Sequence, residues 1–493
     1  MDERARGGAT APPEAGAVAG ELPSRNLPPA TYQDLPEPLP LRKVLGPGVV
    51  SIGIGVSSGE LIIWPFITSQ IGLVFLWAAV IGVLTQFFIN MEIERYTLAT
   101  GETAITGFSR FWKPWGPVMC LCAILPNAWP GVATSGATIL TFALGFGNGT
   151  VITIIALVAL AATLTISPVV YQAVEKVEFF KVGAVIVFLI VAIFAVISIQ
   201  AWIDLPVATA EGFTAEGFGR VLDLPPAVIL GAAAFAGAGG VHNLIQSNWI
   251  RDKGYGMGAR IPRLVSPVTG EDEARPSTGY IFPQTEENLS RWKRWWRVAN
   301  LEQFVTFFAL GALSIILMSM IAYSTVFGQD TGENIDFFRN EGLALGEIVG
   351  SWFEMFFYLV GAISLLAGAF GILDYVGRCI SDVLKSSYLA NSEFWTEAKL
   401  YAVAVWLLVA LNITILLAFS SQPLVLLFAQ SSISGVVMFV YCILLIQLNR
   451  RALPDAIKVR GARLGAMIWA ILAFGVLSAL LVYSQIGDLF GGG

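Results

Sequence analysis

The chain is built around apolar stretches that are long enough to cross a lipid bilayer. About 20 residues of helix span the hydrocarbon core of a membrane. Blocks of this kind, bounded by charges or by Gly, Pro and Asn turns, occupy residues 46–68, 73–98, 116–145, 150–169, 179–200, 226–249, 300–325, 346–376, 399–419, 424–447 and 462–485. Of the 493 residues, 56% are hydrophobic and only 13% are charged, unlike the composition of soluble globular proteins. The sequence therefore predicts an all-α membrane protein with about eleven transmembrane helices.

The basic residues predict the orientation of these helices. Of the 29 Lys and Arg residues, all but Arg220 and Arg339 fall on the side of the N-terminal tail. Because Lys and Arg are enriched in cytoplasmic loops, we expect an integral plasma (inner) membrane protein with a cytoplasmic N-terminus and an external C-terminus.

The loops predicted to lie outside are acidic. Such a rim would raise the local concentration of cations, or its charges could simply keep the loops soluble. The acidic residues before the sixth and the eighth span are Asp204, Glu211, Glu216, Asp223, Asp330, Glu333, Asp336, Glu341 and Glu347.

Four regions follow one another along the chain. Residues 1–42 are rich in Pro, Ala and Glu and lack an apolar core, so they are expected to form a disordered cytoplasmic tail. Residues 43–200 carry five spans, residues 201–447 carry five more with a cytoplasmic insertion at 250–298, and residues 448–493 carry the eleventh span and the external C-terminus. Five spans with a cytoplasmic start end outside, so the second five would repeat the first upside down, as in inverted-repeat transporters.

The first span is interrupted by polar residues and glycines. In "GIGVSSGELIIWPF", Ser57, Ser58 and Gly59 come directly before Glu60. A carboxylate in mid-span costs on the order of 3 kcal/mol unless it is paired, hydrated or protonated. No basic residue lies within a helical turn of Glu60 in the sequence. A water-filled cavity, a cation or a titrating proton would resolve this cost.

The sixth span is interrupted at the corresponding position. In "ILGAAAFAGAGGVHNLIQSNW", glycines that include Gly237 and Gly240 precede His242 and Asn243. Either glycine cluster alone could serve close helix packing. Together they predict that helices 1 and 6 are unwound in mid-membrane around a binding site. His242, the single histidine of the chain, would be a core side chain, a proton carrier or a ligand.

Several further stretches, taken in order, resemble the natural resistance-associated macrophage protein (Nramp) family of divalent-metal transporters. The resemblance runs from about residue 44 to residue 485 and rests on "LGPGVVSIGIG", "LATGETAITGFSR", "YQAVEKVEFFKVGAVIV", "GGVHNLIQSNWIRDKG" and "LLFAQSSISGVVMF". It implies a leucine-transporter-like 5+5 inverted repeat plus one extra helix, with a metal site between the unwound parts of helices 1 and 6.

The chain departs from the family pattern at the implied site. Ser57–Glu60 stand where the family has Asp-Pro-Gly-Asn, and Gly240–His242 stand where it has Met-Pro-His. The soft thioether is therefore missing, and we expect empty space in its place. The acidic pair of the family's third helix is also absent from "AILPNAWPGVATSG", whose prolines predict a kink. The glutamine that helps to hold metal in helix 10 of the family persists as Gln430. Without the acidic pair, proton coupling would need other groups, and His242 and Glu60 are the candidates.

These residues predict a secondary transporter of a divalent cation that works by alternating access. One carboxylate, hydroxyls, an amide and freed carbonyls form an oxygen-rich set that suits a hard ion such as Mg²⁺, with Mn²⁺ as a second choice. Relatives that carry Mg²⁺ are similar in lacking the methionine. Glu354 would line an access path or pair with a neighbouring helix. We expect no cofactor beyond the transported ion, no nucleic-acid partner and no enzymatic activity, with a monomer plausible.

Two alternatives keep the fold and change the function. The glycine-rich first span also looks like that of amino-acid and polyamine carriers, in which bare backbone amides hold a carboxylate. Glu60 would then bind an amine or a proton. The third interpretation is a sensor that has lost transport.

Overall fold

A computed structural model of the chain describes residues 13–39, 47–167, 170–261, 279–329, 334–419 and 422–490. Most of them are helical, and the membrane helices match the eleven predicted spans. They are helix 1 (Pro47–Ser58, Gly59–Ile63 and Trp64–Ile71), helix 2 (Leu76–Thr100), helix 3 (Trp115–Asn127 and Gly131–Leu144), helix 4 (Gly149–Ile166), helix 5 (Val170–Ala195), helix 6 (Pro226–Ala234 and Val241–Lys253), helix 7 (Leu310–Thr325), helix 8 (Ser351–Ser387), helix 9 (Glu397–Ala418), helix 10 (Pro423–Arg451) and helix 11 (Ala462–Phe490).

Length and hydropathy alone recognise fewer crossings than this. Within the described ranges, nine helices are long and apolar enough to span a membrane, or ten if the bent pair Ala215–Leu222 and Pro226–Ala234 is one span. The difference arises because helices 1 and 2 join into one stretch, Pro47–Thr100, and because helix 6 is interrupted. The chain is an integral membrane protein.

Shorter helices flank the membrane helices on both sides. Ile199–Glu211, Ala215–Leu222 and Asp336–Val349 belong to the predicted outer loops. Ala104–Phe111, Gly256–Arg260 and Glu286–Gln303 belong to the predicted inner side, and Glu286–Gln303 continues through a π turn, Phe304–Ala309, into helix 7.

Helix 1 is not unwound, and the prediction that it breaks in mid-membrane was wrong. It stays helical throughout, with a wider π turn at Gly59–Ile63. Its glycines serve a close approach instead. A Cβ atom at Gly59 would lie 1.9 Å from the carbonyl oxygen of Phe235, and one at Gly55 would lie 2.4 Å from that of Gly237. The glycine face of helix 1 therefore lets the backbone of helix 6 pack directly against it.

Helix 6 is broken, as predicted. Its first half, helix 6a (Pro226–Ala234), is separated by six residues from its second half, helix 6b (Val241–Lys253). Gly237, Gly239 and Gly240 take φ angles of 129°, 78° and 61°, which only glycine adopts readily. The backbone therefore leaves the helix at the predicted position.

Helix 3 is interrupted at the predicted kink. Its two halves meet at Ala128–Pro130, and the amide of Asn412 in helix 9 donates to the carbonyl oxygens of Asn127 (2.7 Å) and Ala128 (3.0 Å). Proline cannot continue the helical hydrogen bonding, and Asn412 supplies the missing donors.

The N-terminal tail is folded where the structure describes it, so the prediction of disorder was wrong for residues 13–39. Strand β1 (Thr31–Tyr32) pairs in parallel with strand β2 (Tyr280–Ile281), which belongs to the insertion between helices 6 and 7. The indole of Trp295 donates to the carbonyl of Pro36 at 2.8 Å. Apolar tail residues are buried in this contact: Ala19, Leu22, Leu27, Ala30 and Leu35. The rest of the predicted tail, residues 1–12 and 40–42, and the insertion residues 262–278 lie outside the described ranges.

The acidic outer loops contain fewer free charges than the sequence indicates. Glu211 forms an ion pair with Arg220, and Asp204 accepts a hydrogen bond of 2.9 Å from Tyr323. Glu341 is buried, and this burial raises the pKa of its carboxyl group to about 8, so it is largely neutral at pH 7. Asp330 and Glu333 lie outside the described residues.

Candidate functional site

Glu60 lies in the π turn of helix 1, near the middle of the first predicted span. Its side chain is 0% exposed. Neither carboxylate oxygen has a hydrogen-bond partner among the residues that the structure describes. Burying an unpartnered carboxylate is costly, so this position requires a cation, water or a proton.

A basic residue does approach Glu60, but from helix 5. Lys181 is close enough for its charge to act on both Glu60 and His242. Its ammonium lies 2.6 Å from a carboxylate oxygen of Glu178 and also donates to the backbone carbonyl of Gly53. The sequence analysis missed this pair, although a Glu and a Lys three residues apart at the start of an apolar span are a recognisable signal.

The break in helix 6 is closed by one side chain of helix 2. Gln86 donates to the carbonyl of Ala234 at 2.7 Å, and its own oxygen accepts from the amides of Ala238 (2.9 Å) and Gly239 (3.1 Å). The backbone groups released by the break are thus partly satisfied within the protein. The sequence analysis did not identify Gln86.

Asn243, in the first turn of helix 6b, is held by the same helix. Its amide donates to Asn90 at 2.7 Å and approaches Gln86 at 3.4 Å. Its carbonyl oxygen has no partner within the described part of the chain. Asn243 therefore offers one free acceptor beside the break.

The ring of His242, in the first turn of helix 6b, is held by a backbone carbonyl and by an aromatic ring. Its Nδ1 lies 3.1 Å from the carbonyl of Ala238, which assigns the proton to Nδ1, and the ring stacks on Tyr375 of helix 8 with a centroid distance of 5.3 Å. Nε2 is buried and unpartnered in the described structure. Among the described residues, His242 thus has one partnered ring nitrogen, Nδ1, and one buried ring nitrogen, Nε2, that has no partner.

Gln430 of helix 10 connects to His242 through two residues. Its amide donates to Asn127 at 2.9 Å, and the hydroxyl of Tyr375 donates to the same oxygen at 2.7 Å. The carbonyl oxygen of Gln430 is left without a partner in the described ranges. Beside Gln430 and Asn127 lies a cavity of about 10 Å³, which holds at most one water molecule.

Ser57 and Gly240 contribute differently from what the sequence predicts. The hydroxyl of Ser57 donates to the carbonyl of Ile54. The same side chain packs closely against Gly368 in helix 8, since a Cβ atom at Gly368 would lie 2.4 Å from Oγ of Ser57. A Cβ at Gly240 would lie 2.9 Å from the hydroxyl of Ser434 in helix 10. The expected empty space at Gly240 is therefore filled by helix 10. Ser58 is buried next to Gly59.

Glu354 lies in the first turn of helix 8, because that helix begins at Ser351 and not at residue 346. Its carboxylate packs against Gly346 of the helix Asp336–Val349, 2.8 Å from the position of a Cβ there. The structure thus places it in contact with a neighbouring helix at the N-terminal end of helix 8.

Four of the sequence-predicted residues share one property in the structure. Each is buried and carries an acceptor atom that has no hydrogen-bond donor in the described residues: Glu60, His242, Asn243 and Gln430. Tyr375 and Asn127 link His242 to Gln430. Gln86 contacts Asn243. Gly59, next to Glu60, packs against the backbone of Phe235 at the break of helix 6. Within the same ranges, no group of three or more His, Cys, Asp and Glu side chains is placed to hold a metal ion.

Comparison with known proteins identifies the fold. No family model and no curated protein sequence matches the chain. A crystal structure of an Eremococcus coleocola manganese transporter superposes with a TM-score of 0.63 at 12% identity, over 95% of this chain and 92% of that one. The chain has a divergent Nramp-like fold.

Two other solved structures place this Nramp-like fold within a wider class. MhsT in complex with L-phenylalanine gives a TM-score of 0.52 at 14% identity, over 88% of this chain and 98% of that one. A nucleobase-cation-symport-1 family transporter with bromovinylhydantoin bound gives 0.52 at 12% identity, over 94% and 96%. The chain therefore has a leucine-transporter-like architecture.

Proposed function

We propose that the protein is a secondary transporter that carries a divalent metal cation, a hard ion such as Mg²⁺ or Mn²⁺, by alternating access past Glu60. The observation that carries this proposal is the buried, unpartnered carboxylate of Glu60 in the π turn of helix 1. A cation is the ligand that satisfies such a group without a proton.

The neighbouring acceptors support a cation over an anion or a neutral solute. The carbonyl oxygens of Asn243 and Gln430 and Nε2 of His242 all lack a donor within the described structure. Each unsatisfied buried group costs about 1–3 kcal/mol. An ion that accepts electron pairs from several of them would recover this cost.

The balance of buried charge points the same way. Glu60 and Glu178 are two buried carboxyl groups near one buried ammonium, that of Lys181. When all three are ionised, the cluster has an excess negative charge in a region of low dielectric, where interactions between charges are strong. A bound cation compensates this excess.

The donor chemistry favours a hard ion. The available atoms are predominantly carboxylate and amide oxygens, which Mg²⁺ and Mn²⁺ accept, whereas the position of the soft methionine is Gly240. The Nramp-like neighbour whose name describes a manganese transporter agrees with this class of cargo.

The organic-solute alternative is less well supported. Two structures of similar fold were solved with L-phenylalanine and with bromovinylhydantoin. However, the amides of Ala238 and Gly239, which would hold a carboxylate at the start of helix 6b, already donate to Gln86. An organic acid would have to displace that side chain.

The test is isothermal titration of the purified protein with Mg²⁺, Mn²⁺ and Ca²⁺, beside Glu60→Gln and the exposed outer-loop control Glu216→Gln. We expect the wild type and Glu216→Gln to bind a divalent ion and Glu60→Gln to lose at least ten-fold in affinity. Flux of that ion into proteoliposomes then establishes transport. If the wild type binds none of the ions at millimolar concentration, the proposal is wrong, and the protein should be screened with amino acids and amines.

A further inference from the structure

The helix that continues into helix 7 exposes two basic side chains that have no carboxylate partner. Lys293 and Arg297 are four residues apart, so they share one face of this helix, and both are exposed. Neither forms an ion pair with a residue that the structure describes. Two other arginines of the same helix, Arg291 and Arg294, are instead paired with Glu37 of the N-terminal tail, at 3.0 Å and 2.9 Å. The pairing thus separates two neutralised cations from two that are available.

Arg463, at the start of helix 11, brings a third cation to this face. Its guanidinium lies over the ring of Trp296, 4.8 Å from the centroid, and Arg95 of helix 2 lies over the same ring at 4.2 Å. Arg463 also donates to the side-chain oxygen of Asn300. Trp296 lies directly before Arg297 in the helix, and Asn300 lies three residues after it. Arg463 is therefore held on the side of the helix that carries Arg297.

Buried carboxylates of helix 2 neutralise only part of this positive charge. Glu92 accepts from Arg95 at 2.7 Å and 2.9 Å and lies 3.8 Å from Arg463. Glu94 is close enough for its charge to act on Arg463. Even when both carboxylates are ionised, they balance only these two arginines. The two exposed cations of the neighbouring helix keep their charge unbalanced, and like charges held this close repel one another.

The face that carries these cations continues into apolar side chains. Leu301, Phe304 and Val305 are 48%, 47% and 48% exposed. Phe304 follows Arg297 by about two helical turns. A face that changes from Lys and Arg to Leu, Phe and Val is typical of a segment that passes from the lipid headgroups into the hydrocarbon. The cations are therefore at the depth at which lipid phosphates lie.

We propose that Lys293, Arg297 and Arg463 form a basic surface that binds the headgroup of an anionic phospholipid. Guanidinium and ammonium groups are the usual donors to phosphate in proteins. The acyl chains of the lipid would lie along Leu301 and Phe304. The headgroup relieves the repulsion among the three cations and joins the start of helix 11 to the helix that precedes helix 7. This role does not depend on which cargo the protein carries.

The experiment measures the thermal unfolding midpoint of the purified protein in micelles of an uncharged detergent. Phosphatidylglycerol, phosphatidylcholine or inorganic phosphate is added in increasing amounts. We expect a saturable rise of the midpoint with phosphatidylglycerol and no comparable rise with the other two. In the double variant Lys293→Gln with Arg297→Gln, the half-maximal effect should require roughly ten-fold more phosphatidylglycerol or more, because each basic residue near an anionic lipid adds to the attraction. Both side chains are exposed, so this variant should still fold.

The matched control is the double variant Lys113→Gln with Lys176→Gln. It also removes two positive charges, from residues near the starts of helices 3 and 5, and it should respond to phosphatidylglycerol like the wild type. An equal loss of response in both double variants would mean that only the total charge matters and would overturn the proposal. An equal rise with phosphatidylcholine would also overturn it, since no anion would be needed. A rise with inorganic phosphate as large as that with the lipid would indicate a site for soluble anions instead.

Discussion

At the scale of single residues, Gln86 forms hydrogen bonds to backbone groups that have lost their helical partners at the break of helix 6. One amide group donates to the carbonyl at the end of helix 6a and accepts from two amides of the connecting segment. Such a side chain lets a helix end inside the membrane without exposing polar groups to lipid. The glycines make the break sterically allowed, and Gln86 makes it stable.

Replacing Gln86 by Leu should therefore destabilise the protein. The change leaves the carbonyl of Ala234 and the amides of Ala238 and Gly239 without these bonds, at about 1–3 kcal/mol for each group that stays unsatisfied. Thermal unfolding in detergent, followed by circular dichroism, would show a lower midpoint. The matched control is Gln200→Leu, whose amide bonds Asp204 at the outer surface and whose loss should change the midpoint little. Equal midpoints for the two variants would contradict this role of Gln86.

Glu60 shows what a sequence can and cannot reveal about a site. Its burial follows from its place in an apolar span, and the structure confirms it. The approach of Lys181 could not be predicted, because it depends on how helix 5 packs against helix 1 and not on any local pattern. For the same reason, the sequence did not reveal that Ser434 fills the space at Gly240.

At the scale of helices, the spacing of the glycines separates two outcomes that composition alone does not. Gly55 and Gly59 of helix 1 are four residues apart, so they share one face of an intact helix and form the contact with helix 6. Gly237, Gly239 and Gly240 follow one another too closely to form a face, and all three have positive φ angles. The positions of the spans and the break in helix 6 could be predicted from the sequence. The prediction that helix 1 is unwound was wrong, because it rested on the number of glycines and not on their spacing.

Gly59→Ala should disturb the contact between helices 1 and 6. Its new methyl group would lie 1.9 Å from the carbonyl oxygen of Phe235, so helix 1 or the broken segment has to move. We expect a lower thermal midpoint and weaker divalent binding. Gly183→Ala in helix 5 is the control, since a Cβ there has no neighbour within 4 Å. A Gly59→Ala protein as stable as this control would refute the close approach.

At the scale of the whole molecule, a buried ion pair attaches the N-terminal tail to the connection between helices 2 and 3. Arg110 pairs with Glu102 and donates to the tail carbonyls of Pro23 (3.0 Å) and Pro28 (3.1 Å). Glu102 also accepts from the backbone amide of Gly279, at the edge of the insertion, at 2.8 Å. One ion pair thus joins the tail, the connection between helices 2 and 3, and the insertion.

The tail should stay attached well below neutral pH. Burial by itself would raise the pKa of Glu102, but the Arg110 guanidinium outweighs it and holds the pKa below the ordinary value of 4.5. A lowered carboxyl pKa stabilises the folded form above the ordinary pKa, and that stability is lost as the pH falls through the lowered value. Hydrogen exchange of the Ala19 and Tyr32 amides should therefore remain slow at the ordinary carboxyl pKa of 4.5, after correction for intrinsic rates, and accelerate only as the pH falls below that value.

Glu102→Gln should loosen the tail at every pH, because Arg110 is then buried without its anionic partner. Trypsin cleavage after the exposed Arg25 at pH 8 is a direct readout, and it should be faster in the variant than in the wild type. The control Glu14→Gln changes an exposed tail residue and should leave the rate unchanged. A cleavage rate in Glu102→Gln equal to that of the control would argue against the ion pair as the attachment.

The pairing of strands β1 and β2 also imposes an order on biosynthesis. Thr31 leaves the ribosome early, whereas its partner Tyr280 follows only after the first six helices have been made. At 5–20 residues per second, the tail waits roughly 10–50 s before the segment that it pairs with exists. During this time the tail leucines that are buried in the folded protein, Leu22, Leu27 and Leu35, have no surface to pack against. Docking of the tail therefore becomes possible once helices 1–6 and strand β2 have been made, before helices 7–11 exist.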